Sequence, residues 1–295
     1  MIGLGSTRQA PGRSGGVAGL RERGASGEAR LAVSASEGRS FAREYYAREP
    51  FRWLVPRAQG RSVWAYGSSF GGGFVSGDKI EMEVECGEGA SMFVGSQAST
   101  KVYRSGRPGG VSQSAKVDVG TGGFLAWVPD VIQPFAGSEY TQRQVFSLAD
   151  NAGLVMVDWF CSGRSARGER WQFLSYASRT EVWLGGRRLM VDSMRLDGGN
   201  AAQMEGLRRG GHECFATLLV CGGMLGDECS GLLSEIGGRP AGEQGRVAVS
   251  AGRLGNGGVL VRCSGAEVEW VRAELGRLLG FIAGRLGENP LLRKC

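Results

Sequence analysis

Short stretches that alternate apolar with polar residues, each closed by a glycine-bearing turn, recur along this chain and constrain it more than any other feature. The clearest is KIEMEVEC, in which Ile80, Met82, Val84 and Cys86 alternate with Glu81, Glu83 and Glu85. A period of two puts the apolar side chains on one face of a strand and the carboxylates on the other. Similar or continuous apolar runs occupy residues 91–94, 115–119, 123–128, 144–148, 154–160, 171–177, 181–184 and 188–196. Between them stand GEGA, SGRPGG, GTGG, DNAG, SGRSARGE and LGG, where Gly or Asn can take a positive φ. The 52 glycines of the 295 residues supply this punctuation, since they show no collagen period and come with only 8 prolines. The pattern predicts a sandwich, barrel or wound β architecture rather than βαβ units.

The glycines of GGGFVSGD, residues 71–78, precede a strand. A phosphate cradle needs its glycines to open a helix, whose N-terminal N–H groups hold the anion. The stretch therefore reads as a turn entering a strand. Two helices are predicted late in the chain. Leu225, Cys229, Leu232, Leu233 and Ile236 recur at helical steps up to Gly237. A second stripe of Val268, Val271, Leu275, Leu278, Leu279, Ile282 and Leu286 is closed by Gly287 and Pro290. With no fixed-period repeat and no linker, residues 27–295 are expected to form one domain.

The net charge of +6 lies wholly in residues 1–61, which hold 11 Arg and 5 Glu, while the rest balances 24 basic against 24 acidic residues. A neutral body without aromatic residues interleaved in basic runs argues against a nucleic-acid partner. No apolar run approaches the roughly 20 residues of a membrane span. Seven cysteines without a paired framework favour a reducing compartment, hence the cytoplasm. Residues 1–26 are rich in Gly, Ser and Arg, lack an apolar core, and are expected to be a disordered extension.

His212 is the single histidine, so any Ser-His-Asp or Cys-His arrangement would have to use it, and RRGGHECF is no nucleophile elbow. His212 and Cys214, with Cys221 and Cys229 downstream, lack zinc-knuckle spacing, and ECFATLLVC reads as a buried strand. Taken alone, Asp78 is a turn residue bonded to its own backbone. Glu169 reads as part of a solvated loop with Arg164, Arg167 and Arg170 in an apparent hairpin, and Lys101 with Tyr103 as an edge-strand pair.

Taken together, GGGFVSGDKI, SQASTKVYRS, WVPDVIQPF with SEYTQRQVF, and VDWFCSGRSARGERWQF resemble, in that order, the UreD (UreH) family of urease accessory proteins. ECFATLLVCGGM and LGENPLLRK extend the resemblance over roughly residues 27–295. Two departures stand out: Gly95 and Ser96 replace the usual paired threonines, and Asp130 with Val131 stand where a second proline is common. The resemblance implies a mainly β fold, a single large domain of wound, helical β-sheet with two α-helices in the C-terminal third. It also implies a non-enzymatic maturation factor that binds apo-urease. With the helical partner UreF and the GTPase UreG, such a factor delivers nickel through a water-filled internal route.

The resemblance implies no tightly bound cofactor, only nickel in transit, and such passage calls for oxygen ligands that release the ion rather than a closed thiolate site. Asp78 and Glu169 fall on the family's Gly-Asp and Gly-Glu positions implicated in nickel transfer. Each has an alternative structural reading, such as an internal salt bridge to Arg164. Gly77, Lys101, Tyr103, Tyr140, Gln142, Gly163, Arg164 and Gly168 are expected to be scaffold or interface residues. One rival is a glycan-active enzyme with Asp78 and Glu169 as a carboxylate pair. Another is a binding module without metal traffic that engages RNA through the Arg-rich N-terminus.

Overall fold

The computed structural model describes residues 25–57, 60–106, 109–239, 246–255 and 257–294. The chain opens with β1 (Ser26–Ser36), β2 (Arg39–Ala47), β3 (Phe51–Leu54) and β4 (Val63–Ser69). It then winds through β5 (Lys79–Cys86), β6 (Ser91–Ser96), β7 (Thr100–Val102), β8 (Val111–Val119), β9 (Phe124–Val128), β10 (Ile132–Pro134), β11 (Glu139–Leu148), β12 (Gly153–Cys161) and β13 (Ser175–Leu184). The remainder holds β14 (Arg187–Asp197), α1 (Ala201–Gly210), β15 (Cys214–Cys221), α2 (Gly226–Gly237), β16 (Val247–Leu254), β17 (Gly258–Gly265), α3 (Val268–Leu278) and α4 (Ile282–Leu286).

From β4 to β13 successive main strands alternate between two sheets, so each turn of the chain adds one strand to both. β5, β8, β11 and β13 pair in parallel in an outer sheet ordered β14-β13-β11-β8-β5-β1-β2. β4, β6, β9 and β12 pair in parallel in a central sheet ordered β16-β17-β15-β12-β9-β6-β4-β3. The wound architecture inferred from the resemblance is thus the one observed. Antiparallel additions, β14 to the outer sheet and β15, β17 and β16 to the central one, complete one end.

The two sheets differ in what covers them. Outer-sheet strands keep one face in solvent, and β5 accordingly alternates, with Ile80, Met82, Val84 and Cys86 buried against the core. The central sheet is covered on both faces, by the outer sheet and by α2, α3 and α4. Its strands are therefore continuous apolar runs, FLAWV in β9 and GLVMVDWFC in β12.

Several expectations need correction. Both expected helices form, and among the described residues α1 is added and the second is split, which makes four α-helices. The helix α1 was missed because it buries only Met204 against the body. Its start and stop signals were nonetheless present: Asn200 accepts the Gln203 N–H, and Gly211 sits at φ 68°. The second expected helix divides at residues 279–281, around Gly280, which lets Ile282 and Leu286 both reach the core. The run 171–177 becomes a strand only at Ser175, because Trp171 has φ 56°, outside extended backbone. The Arg-rich loop 162–174 is no hairpin, since β12 and β13 lie in different sheets. Ala25 and Ser26 belong to the folded body, as Lys79 N–H bonds Ala25 O and Ser26 starts β1. The rest of the expected extension, residues 1–24, and Cys295 lie outside the described residues.

Candidate functional site

Stacking the coils in register places a polar row inside the sandwich, next to the buried Gln144–Thr180 pair of β11 and β13. Gln113 of β8 pairs with Gln142 of β11, which pairs with Ser178 of β13, all on the inner face of the outer sheet. From the central sheet Asp158 of β12 faces them. Tyr140 Oη lies 3.1 Å from Gln113 Oε1 and 3.0 Å from Gln142 Oε1. Gln142 Nε2 donates to Asp158 Oδ1 (3.1 Å) and to Ser178 Oγ (3.3 Å), and Ser178 Oγ donates to Asp158 Oδ2 (2.7 Å). A satisfied buried network of this kind fixes its own geometry. Burial pushes the Asp158 carboxyl above the usual carboxylate range, against the lowering by its Ser178 and Gln142 hydrogen bonds. Burial likewise raises Tyr140 and Tyr176, whose rings stack at 5.8 Å.

The row joins two cavities. At one end lies a cavity of about 490 Å³ whose wall includes Ser68, Gln97, Lys101, Gln113 and Trp127. The buried Trp127 Nε1–H has no acceptor among the described residues. At the other end a cavity of about 270 Å³ holds Asp158, Ser178, Asp192, Thr217 and Arg262. A wider groove of about 1050 Å³, lined by Trp159, Asp130, Arg272 and Leu275, lies instead on the helix-covered side of the central sheet.

The two carboxylates singled out from the sequence sit outside this row. Asp78 is fully buried, its Oδ1 accepting Ala25 N–H (2.8 Å) and its Oδ2 accepting Val75 N–H (2.9 Å). Gly77 precedes it at φ 87°, a left-handed backbone that favours glycine. Glu169 is gripped by the Arg164 guanidinium, with Nε to Oε2 at 2.8 Å and Nη2 on Oε1, and accepts Ala136 N–H at 3.2 Å. The Arg164 hydrogen bonds and charge hold the Glu169 carboxyl below its usual value. Arg164 in turn covers the Phe135 ring at 4.1 Å. A Cβ on Gly163 would stand 2.7 Å from Glu169 O and 3.0 Å from Pro134 O, and Gly168 ends the short turn in left-handed backbone. Each carboxylate thus fastens a loop.

A sequence model of the UreD urease accessory protein matches residues 25–295. The chain belongs to the UreD family. It is 41% identical to the urease accessory protein UreD of Sorangium cellulosum over 275 residues, 93% of this chain and 86% of that protein. It is 35% identical to the UreD of an Anaeromyxobacter strain over 267 residues, 90% of this chain and 89% of that protein. The urease accessory protein D of Arabidopsis thaliana is 34% identical over 173 residues, 57% of this chain and 59% of that protein.

The remaining UreD-motif residues divide by location. Tyr140 and Gln142 belong to the interior row rather than to a surface. Lys101 and Tyr103 are not at an edge: β7 pairs β10, Val102 bridges Phe74, and the Tyr103 ring meets Phe135 edge-on at 5.3 Å. The two departures from the UreD pattern are joined, because Ser96 Oγ accepts Asp130 N–H at 2.6 Å. A proline at position 130 would have no N–H to give. The Asp130 carboxylate accepts Arg272 Nη1 of α3 at 2.9 Å. Asp158 was missed, although a single carboxylate inside LVMVDWFC is a visible anomaly. His212 bonds Ser264 Oγ through Nδ1 (2.7 Å), Cys214 is buried in β15 as the strand reading required, and no three His, Cys, Asp or Glu converge among the described residues.

Proposed function

We propose that this UreD protein is a non-enzymatic maturation factor that binds apo-urease and, with UreF and the GTPase UreG, passes nickel through its interior to the urease active site in the cytoplasm. Membership of the urease accessory protein family supports the maturation role. The observation that carries the passage is the polar row itself, Gln113–Tyr140–Gln142–Ser178–Asp158, which runs from the lining of one cavity to the lining of another. Its donors to a cation are amide, hydroxyl and carboxylate oxygens, which suit a divalent ion that must be released. The buried indole N–H of Trp127, without a protein acceptor among the described residues, supports a hydrated entrance. In this reading Asp78 and Glu169 affect transfer through the loops they fasten, and a direct ligand role for either requires those bonds to open.

The test is urease activity, with nickel counted in purified urease, in cells carrying the cognate urease and accessory genes. This gene is intact, deleted, or altered to Gln142→Leu. Deletion should abolish activity and nickel loading, and full activity after deletion overturns the maturation role. Gln142→Leu should still bind urease yet lower its nickel content, and full loading by that variant overturns the internal route.

A further inference from the structure

The polar row continues past Asp158. In register across the central sheet, Asp158 of β12 is followed by Thr217 of β15, Arg262 of β17 and Ser250 of β16, the last strand at that end. The Arg262 guanidinium donates to Thr217 Oγ1 on its own sheet and, at 2.7 Å, to Asp192 Oδ1 on β14, the edge strand of the facing sheet. One side chain therefore bridges both sheets across the cavity that holds Asp158 and Ser178.

A guanidinium in that position opposes the exit of a cation. It cannot shed its proton, so it stays positive at any working pH. Among the described residues lining the cavity it is the one basic side chain, set beside the two acids Asp158 and Asp192. Like charges repel most where water is partly excluded, and the opposite charges of Asp158 and Asp192 attract the same ion that Arg262 repels. Asp192 can give its carboxylate to Arg262 or to a passing cation. Arg262 keeps 45% of its side chain exposed, so it can turn toward solvent without disturbing the core.

We propose that Arg262 is an electrostatic latch on this end of the route: bound to Asp192 and Thr217 it holds the exit shut, and an arriving divalent cation displaces it from Asp192. The proposal rests on the reading of the row as a cation route and adds to it the residue that controls release. Closure also explains why the side chain spans two sheets rather than pairing within one.

The experiment follows the initial rate at which limiting nickel activates apo-urease in a reconstituted system with UreF, UreG and this protein. Arg262→Met and Arg262→Gln should each raise that rate about fivefold, the factor equivalent to about 1 kcal/mol for a half-exposed ion pair. The exchanged pair, Asp192→Arg with Arg262→Asp, rebuilds the bridge and should return the rate toward wild type. Melting temperatures establish that each variant is folded, and Gln142→Leu serves as the route control. An unchanged or slower rate in both Arg262 variants, with Gln142→Leu still impaired, overturns the latch and leaves the route standing. Failure of the exchanged pair to slow a fast single variant overturns the assignment of Asp192 as its partner. If Gln142→Leu also activates normally, the route fails and the latch fails with it.

Discussion

Asp78 and Asp158 are both carboxylates drawn into the protein, one at the entry of β5 and one within β12, and their hydrogen-bond donors differ in kind. Asp78 takes two hydrogen bonds from backbone N–H groups, those of Ala25 and Val75, whose positions the fold sets. Asp158 takes its bonds from the Gln142 and Ser178 side chains, which can rotate, and it opens on a cavity. The first arrangement is a fastener, holding the start of β1 against the turn into β5. The second leaves a charge in partial desolvation with donors that can be exchanged for a ligand, a cost of the kind retained at functional sites. The fixed backbone donors of Asp78 and the side-chain donors of Asp158 therefore fit two different roles.

The largest expected effect breaks the fastener. Asp78→Ala strands two partly buried N–H groups, each at about 1–3 kcal/mol, so unfolding free energy should fall by about 2–6 kcal/mol in chemical denaturation. Urease activation should fall only as far as folded protein does. A stable Asp78→Ala protein that no longer loads nickel would place Asp78 beside Asp158 and erase the distinction.

Asp158→Asn should do the opposite. Nickel incorporation into urease should drop about tenfold or more, about 1.4 kcal/mol, while the melting temperature at pH 7 holds or rises. The sign follows from linkage. Burial raises the folded Asp158 value above the ordinary 3.8, so the native chain binds the proton more tightly than the unfolded one. That contribution to stability is whole below 3.8 and is lost as pH rises through the folded value. The variant's advantage should therefore grow with pH and vanish in acid, which thermal unfolding across pH measures. A marked loss of stability at pH 7 would make Asp158 a structural residue.

Why the sequence showed one carboxylate and hid the other is a matter of neighbours. Asp78 follows a glycine turn, a local signal, whereas Asp158 gains its meaning from Gln142 and Ser178, 16 and 20 residues away, brought opposite by winding. The strands β5, β8 and β11 were legible because one face meets water and the alternation is clean. β2 was not, since it exposes Phe41, Tyr45 and Tyr46 and its ladder with β1 is broken by a bulge. The coil repeat was invisible for a similar reason. The parallel strands begin at Lys79, Val111, Glu139 and Ser175, and β7 and β10 lengthen the intervening turns unequally, so no fixed period survives.

Glu169 gives the finest test, because its fastener is a side chain, Arg164, and not only backbone. Its carboxyl is held below the ordinary 4.5, chiefly by the Arg164 hydrogen bond and then by the Ala136 N–H. Here the linkage has the reverse sign: the stabilisation is present above 4.5 and is lost as pH falls through the folded value. Glu169→Gln should therefore lower the melting temperature at pH 7, by less than Asp78→Ala because the pair is partly solvated, with the difference closing in acid. Arg164→Gln should cost a similar amount, and the double variant little more than either, since both remove one interaction. If Glu169→Gln instead melts like the wild type at pH 7 yet leaves urease short of nickel, the carboxylate is handling the ion. A side-chain donor, even a fixed arginine fork, would then be enough to place a residue with Asp158 rather than with Asp78.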